Sequence, residues 1–183
     1  ESPMAKKSNR NTRGRIVSAA WKLFYEQGYE DTTVEEIIEL SGTSKGSFYH
    51  YFDGKDALLS TLSSLFDEKY EELTGLLTPE MTAMEQLLFL NRELFHMIED
   101  SISLDLLARL YSTQLTTNGE KHLLDHNRIY YKLLRKIIAK GQAEGQLSSR
   151  SNVNEMVKLY ALCERALLYD WCLCAGEYAL TEY

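Results

Sequence analysis

Proline is almost missing from this chain, with 2 residues in 183, and glycine is sparse at 10. A strand-and-turn fold needs more of both to reverse its direction, so the shortage favours long helices. Leu, Ala, Glu and Lys are plentiful instead, and they are strong helix formers. No run approaches the ~20 apolar residues of a membrane span, and no apolar signal core opens the chain. The protein is therefore expected to be cytoplasmic and away from membranes, with Cys163, Cys172 and Cys174 reduced. Glu1-Ser2-Pro3 ahead of Met4 reads as a cloning remnant.

Acid is missing from one place. Between Ser2 and Tyr25 there is no Asp or Glu, and Lys6, Lys7, Arg10, Arg13, Arg15 and Lys22 make that stretch basic. Formal net charge is −7 overall, so about −13 falls on the rest. A basic end on an acidic body is the asymmetry of a chain whose one end meets a polyanion. Residues 1–11 are expected as a flexible basic tail, from which Lys7 and Arg10, with Arg13 just beyond, reach phosphates or a minor groove.

Apolar content of 44% supplies a real core. Its spacing is helical throughout, and no alternating segment argues for a strand. The first helix is expected from about Arg13 to Gln27, with Ile16, Ala20, Leu23 and Phe24 on one face and Gly28 stopping it. Thr33-Val34-Glu35-Glu36 is a capping box that opens a second helix burying Val34, Ile37, Ile38 and Leu40. A third fits Ser44 to Tyr51, and Asp53 caps a fourth from Gly54 to about Leu77. Thr78-Pro79 breaks the chain. Further helices fit from the Thr82 cap to Glu99, Ser103 to Leu115, Asn118 to Glu144, and the Asn152 cap to Ala175.

The second and third helices, joined by the tight Ser41-Gly42-Thr43 turn, form a helix-turn-helix pattern. At ~100° per residue from Ser44, Tyr51 falls near 340°, Phe48 near 40° and Phe52 near 80°. These three aromatics form one apolar face. Lys45, Gly46, Ser47, Tyr49 and His50 spread over the other side. A cation, hydroxyls, an imidazole and a glycine without bulk are what a major-groove helix needs.

At these residues the chain resembles the TetR family of transcriptional regulators. The family signature runs along the lines of Gly-Val-Ser-Lys-Gly-Thr-Leu-Tyr-His-Tyr-Phe and then Lys-Glu. Here it reads Gly42-Thr43-Ser44-Lys45-Gly46-Ser47-Phe48-Tyr49-His50-Tyr51-Phe52, then Lys55-Asp56. Gly28-Tyr29, Thr32-Thr33-Val34 and Ile37 match as well. The resemblance implies an all-α chain, with a helix-turn-helix DNA-binding domain over 12–53 and a helical regulatory and dimerisation domain over 54–183. It implies that Ser44, Lys45, Gly46, Ser47, Tyr49 and His50 face double-stranded DNA. Lys45 and Ser47 would touch bases, and Tyr49 and Thr33 phosphates. Lys55 would set its charge and its backbone N–H on another phosphate.

A palindromic operator calls for a homodimer. Apolar stripes that include Tyr130, Leu134 and Ile138, and then Tyr160, Leu167, Leu168 and Trp171, are the candidates for its surface. The resemblance implies a four-helix interface from this region. It also implies a cavity for an unknown small-molecule effector among the middle helices. Phe89, Phe95, His96, Arg109, Tyr111 and Gln114 are its candidate lining. A repressor released by that effector is the expected function.

No cofactor, metal or catalytic residue is expected. His122 and His126 stand four apart but lack a third ligand. Cys172 and Cys174 diverge by ~200° on a helix and cannot share a metal. All three cysteines read as small buried residues of a helix interface. No nucleophile has a base at informative spacing. The competing readings are a non-catalytic helical interaction module and a redox- or metal-responsive regulator using the cysteines.

Overall fold

The computed structural model describes residues 3–116 and 121–182, with side chains from residue 12 onward. Among the described residues there is no strand. The helices are α1 (Pro3–Gln27), α2 (Val34–Ser41), α3 (Lys45–Tyr51), α4 (Lys55–Leu59), α5 (Leu62–Thr74), α6 (Ala83–Ser101), α7 (Leu104–Thr116), α8 (Ile129–Ala143) and α9 (Val153–Leu173). The chain divides into two compact units, Glu1–Leu62 and Ser63–Tyr183.

In the first unit α1, α2 and α3 pack on one another. Ile16, Ala20, Ile37 and Phe48 are fully buried at its centre. The α2 capping box forms as expected, with the Thr33 side chain accepting from the Glu36 N–H. Gly42 ends α2 at φ 59, a left-handed conformation that a side chain resists, and so makes the tight turn into α3. Leu40, expected inside, is 46% exposed.

Two expectations about helix ends change. The α1 backbone is helical from Pro3, ten residues ahead of the expected start. The side chains of Lys6, Lys7 and Arg10 lie outside the described residues. The helix expected from Gly54 to Leu77 is two helices. Ser60 Oγ donates to Ala57 O at 2.8 Å and Thr61 Oγ1 to Leu58 O at 2.6 Å, so two hydroxyls compete for the backbone acceptors at the break. Trp21 Nε1 donates to Thr61 Oγ1 at 2.8 Å. Asp53 does not cap α4; Gly54 stands there without a side-chain cap. Bonds from Lys55 to Tyr29 O and from Trp21 to Thr61 tie residues 55–61 to the first unit. That moves its edge past the expected Asp53.

In the second unit α8 packs between α6 and α9, and α7 packs on α9. Capping boxes at Thr82 and Asn152 open α6 and α9 as the sequence implied. α8 lies tightly against the start of α6 at Gly141, where a Cβ would come within 2.5 Å of Ala83 Cβ. The helix expected from Asn118 begins only at Ile129. Its proposed start lies outside the described residues. Ahead of α8, His122–Leu124 makes one 3-10 turn, and Asp125 Oδ1 accepts from Asn127 N at 2.9 Å.

Candidate functional site

α3 has seven residues and cannot hold itself together without neighbours. Its start is capped by Ser44 Oγ, which accepts from Ser47 N at 3.1 Å. Phe48 and Phe52 are buried, with ring centroids 5.9 Å apart. They anchor the helix from inside, as the angular spacing implied. Tyr51, the third anchor expected, is half-buried and edge-on to the His50 ring.

The opposite face carries Ser44, Lys45, Gly46, Tyr49 and His50, all exposed, with Ser47 half-buried. The Tyr49 ring meets Phe48 edge-on at 5.2 Å, yet its side chain is 46% exposed. Lys45 Nζ stands 6.0 Å from the Tyr49 ring centroid. The Ser47 hydroxyl shares a 2.9 Å hydrogen bond with Ser44 Oγ. At Gly46 an added Cβ would meet only Ser44 Oγ, at 3.9 Å. Glycine costs a helix about 1 kcal/mol, and nothing in the chain itself requires it there.

Thr33 is exposed at the α2 N-cap. Its backbone N–H and hydroxyl both donate to Glu36 Oε2 at 2.8 Å. These bonds hold the Glu36 carboxyl below its usual range. Arg13 lies over the Phe52 ring at 5.4 Å, and Arg15 donates to Gly42 O at 3.5 Å.

Lys55 departs from its expected role. Its ammonium donates to Tyr29 O at 2.7 Å, Thr32 O at 2.9 Å and Glu30 O at 3.3 Å. It also stands 4.3 Å from the Tyr29 ring centroid. Three N–H donors meet three carbonyls, so the charge serves the turn after α1 and is not free for a phosphate.

The second unit holds a cavity of about 50 Å³. Apolar side chains of Phe66, Leu94, Leu123 and Leu168 line part of it. Tyr70, Tyr111, Tyr130, Glu164 and two arginines complete it. Of the six residues expected to line an effector cavity, Tyr111 alone does. Phe95 is core, Phe89 is half-buried and His96 is exposed. Arg109 pairs with Asp105 at 2.9 Å, and Gln114 Oε1 accepts from Leu123 N at 3.3 Å.

Glu164 stands on the α9 stripe expected as a dimer surface, an acid among Val157, Tyr160, Ala161, Leu167, Leu168 and Trp171 whose burial the spacing does not reveal. It is 6% exposed. Asn91 Nδ2 donates to Oε1 at 2.8 Å, and the Tyr130 hydroxyl donates to Oε2. Burial pushes its carboxyl above the usual range, and Asn91, Tyr130 and Tyr160 only partly offset that. Burial also raises the Tyr70, Tyr111 and Tyr130 phenols. The Tyr70 hydroxyl is buried with no hydrogen-bond partner.

Most of the residues expected to form a dimer surface pack inside the chain. Tyr130, Leu134, Ile138, Leu168 and Trp171 are buried. Tyr160 donates to Leu87 O at 3.0 Å, and Leu167 is half-buried. The other face of α9 is the open one. Leu159, Leu162, Tyr169 and Leu173 are each about half exposed or more. With exposed Ala166 they recur in steps of three and four, the spacing of a helix-pairing seam.

His122 and His126 do not share a helix; His126 stacks on Tyr131 at 4.5 Å. Cys163 is exposed, and the other two cysteines are half-buried, so the expectation that all three are buried fails. A metal-binding bundle needs Glu-x-x-His on two helices, and the chain carries Glu93-Leu94-Phe95-His96 on α6. Among the described residues no group of three His, Cys, Asp or Glu could hold a metal. No described helix is long and apolar enough to cross a membrane.

A short capped helix, buried by two phenylalanines and joined to α2 through a left-handed glycine, makes a helix-turn-helix. Residues 16–62 match the family model described as bacterial regulatory proteins, tetR family. The match to the TetR family model covers the helix-turn-helix of the first unit, and the second unit lies outside it. It is similar to the regulator QacR of Staphylococcus aureus, 36% identical over 62 residues, 34% of this chain and 33% of that one. It is also similar to the uncharacterized regulator YvdT of Bacillus subtilis, 26% identical over 139 residues, 75% of this chain and 71% of that one. For several curated relatives the match spans only 22% to 33% of their own length.

Solved structures extend the likeness of fold. FadR from Thermus thermophilus, a TetR-family repressor solved with lauroyl-CoA, gives a TM-score of 0.76 at 25% identity over 93% of this chain and 88% of that one. FadR from Bacillus subtilis, solved with stearoyl-CoA, gives 0.69 at 21% identity over 93% and 92%. Both are described as transcriptional regulators.

Proposed function

We propose that the chain is a repressor that binds a palindromic operator as a homodimer and is released by a small molecule. The observation that carries this is the division of α3. Phe48 and Phe52 hold it, while Lys45, Gly46, Tyr49 and His50 stand in solvent. Lys45 and Ser47 read base edges, with Tyr49 and Thr33 on phosphates. Gly46 lets the backbone approach the groove. Lys55 acts from behind, by holding the turn after α1. The open face of α9 supports pairing with a second copy, which sets two recognition helices ~34–36 Å apart on successive turns. The effector acts by favouring a conformation in which that spacing no longer fits.

A gel shift on DNA flanking the protein's own gene, repeated over a salt series, tests the reading. Lys45→Ala is expected to weaken binding by ~1–3 kcal/mol, and Tyr49→Phe to weaken it across all sequences. Wild-type binding by both variants would remove α3 from the interface. A monomer by light scattering at micromolar concentration would remove the dimer.

The acyl-CoA ligands of the two FadR relatives do not carry over readily. A cavity of about 50 Å³ holds no acyl chain as it stands, and a buried acid lines it.

A further inference from the structure

We infer that the cavity of the second unit takes the ammonium head of a small alkyl amine, with Glu164 as its counter-charge and the Tyr70 hydroxyl as its second acceptor. This rests on the reading of the second unit as the part that binds an effector, and it names the chemistry of that effector.

Glu164 is costly where it stands. A carboxyl out of water is destabilising unless something compensates for it. Among the described residues no lysine, arginine or histidine forms an ion pair with it. The groups that bond it are neutral, the Asn91 amide and the Tyr130 hydroxyl, with the Tyr160 hydroxyl beside them. The guanidiniums nearby are engaged elsewhere. Arg128 grips Asp67 through two N–H groups at 3.1 and 3.0 Å, and Arg165 donates to the Tyr131 hydroxyl at 3.0 Å. A glutamine at 164 would meet the same neutral neighbours with no charge to bury. Arg165 favours that charge without pairing to it, so the protein's own contacts leave Glu164 without a direct counter-ion.

Tyr70 points the same way independently. Its hydroxyl is buried and has no partner. A hydroxyl in that position costs about 1–3 kcal/mol unless something arrives to bond it. Its ring lies 5.1 Å from the Tyr130 ring, centroid to centroid. The cavity therefore offers a carboxyl, a free phenol oxygen and aromatic faces together.

An ammonium matches all three. It brings three N–H donors and no acceptor, so one reaches Glu164 and another the Tyr70 oxygen. Its charge is attracted by the tyrosine faces, more strongly where water is excluded. A carboxylate would set like charge against Glu164, and the two guanidiniums in the lining are already held by Asp67 and the Tyr131 hydroxyl. An alcohol would satisfy Tyr70 and leave the buried acid unexplained. Volume sets the size: about 50 Å³ admits a methylammonium-sized head and no aromatic ring. The alkyl tail leaves past Leu123 and Tyr111, which line the cavity and are only half-buried.

Isothermal titration of the full chain with n-hexylammonium, 1-hexanol and hexanoate tests this. Hexylammonium is expected to bind at one site, about tenfold or more tighter than hexanol, with hexanoate weakest. Glu164→Gln should erase the preference for ammonium over alcohol, with its fold checked by circular dichroism. Tyr70→Phe removes a hydroxyl that no neighbour bonds, so the fold survives, and hexylammonium should bind several-fold more weakly. Equal binding of amine and alcohol, a preference for hexanoate, no binding of hexylammonium, or a preference that survives Glu164→Gln would each overturn the inference. The gel shift separates the two claims. Loss of DNA binding refutes the regulator whatever the amines do. Normal DNA binding without amine binding refutes this inference alone.

Discussion

The two units handle charge in opposite ways. The first keeps charge out of its core, where the buried Thr32, Ser41 and Thr61 hydroxyls all donate to backbone carbonyls, and Lys55 at the edge is taken up by carbonyls too. The second buries an acid and an unbonded hydroxyl and holds a largely covered ion pair. A unit whose interior polar needs are met has one favoured shape. A unit with an unmet need inside has something for a ligand to supply. The difference is one of satisfied against unsatisfied polar groups inside.

The largest expected effect falls on the second unit. Arg128 and Asp67 form an ion pair whose side chains are 9% and 18% exposed. Arg128→Ala should cost about 3–5 kcal/mol in chemical denaturation, because Asp67 is left with no counter-charge. A loss below about 1 kcal/mol, as for a surface pair, would break the contrast between the units.

A smaller loss is expected in the first unit. Lys55→Met removes the ammonium from three carbonyls and should cost about 1.5–3 kcal/mol. Operator affinity measured well below the denaturation midpoint should stay near wild type. A drop in affinity with no loss of stability would return Lys55 to the DNA surface.

The smallest effects are opposite slopes with pH. Hydrogen bonds from Thr33 hold Glu36 below its usual range. Its contribution is present above the unfolded value and is lost as pH falls through the lower folded value. Burial holds Glu164 above its range, with Arg165 pulling weakly the other way. Its contribution is present below the unfolded value and is lost as pH rises through the folded one. In melting curves, Glu36→Gln should therefore hurt most at neutral pH. Glu164→Gln should gain on wild type as pH rises from acid. Parallel slopes would erase the distinction.

The sequence made one unit much plainer than the other, for a physical reason. Phe48 and Phe52 obey helical spacing, and the capping boxes at Thr33, Thr82 and Asn152 are local, so short-range patterns reveal them. Lys55 was misread because its partners lie about 25 residues back, and only folding brings them near. The stripes on α8 and α9 were correctly seen as apolar, but periodicity cannot say whether the partner is the same chain or a second one. Tyr70 escapes the sequence, and Glu164 reads only as part of a dimer stripe, because nothing local marks an acid as buried or a hydroxyl as unbonded. The break at Ser60-Thr61 was missed because two hydroxyls in a good helical pattern look harmless until they bond backward.

The chain has 2 tryptophans, and they fall one to each unit. Trp21 donates to Thr61 Oγ1, and Trp171 donates to Tyr178 O, both at 2.8 Å. Each indole thus rests in a fixed, hydrogen-bonded setting within its own unit. The protein carries a built-in pair of optical reporters. Replacing either with phenylalanine leaves a single emitter, and its fluorescence then follows the opening of one unit without the other.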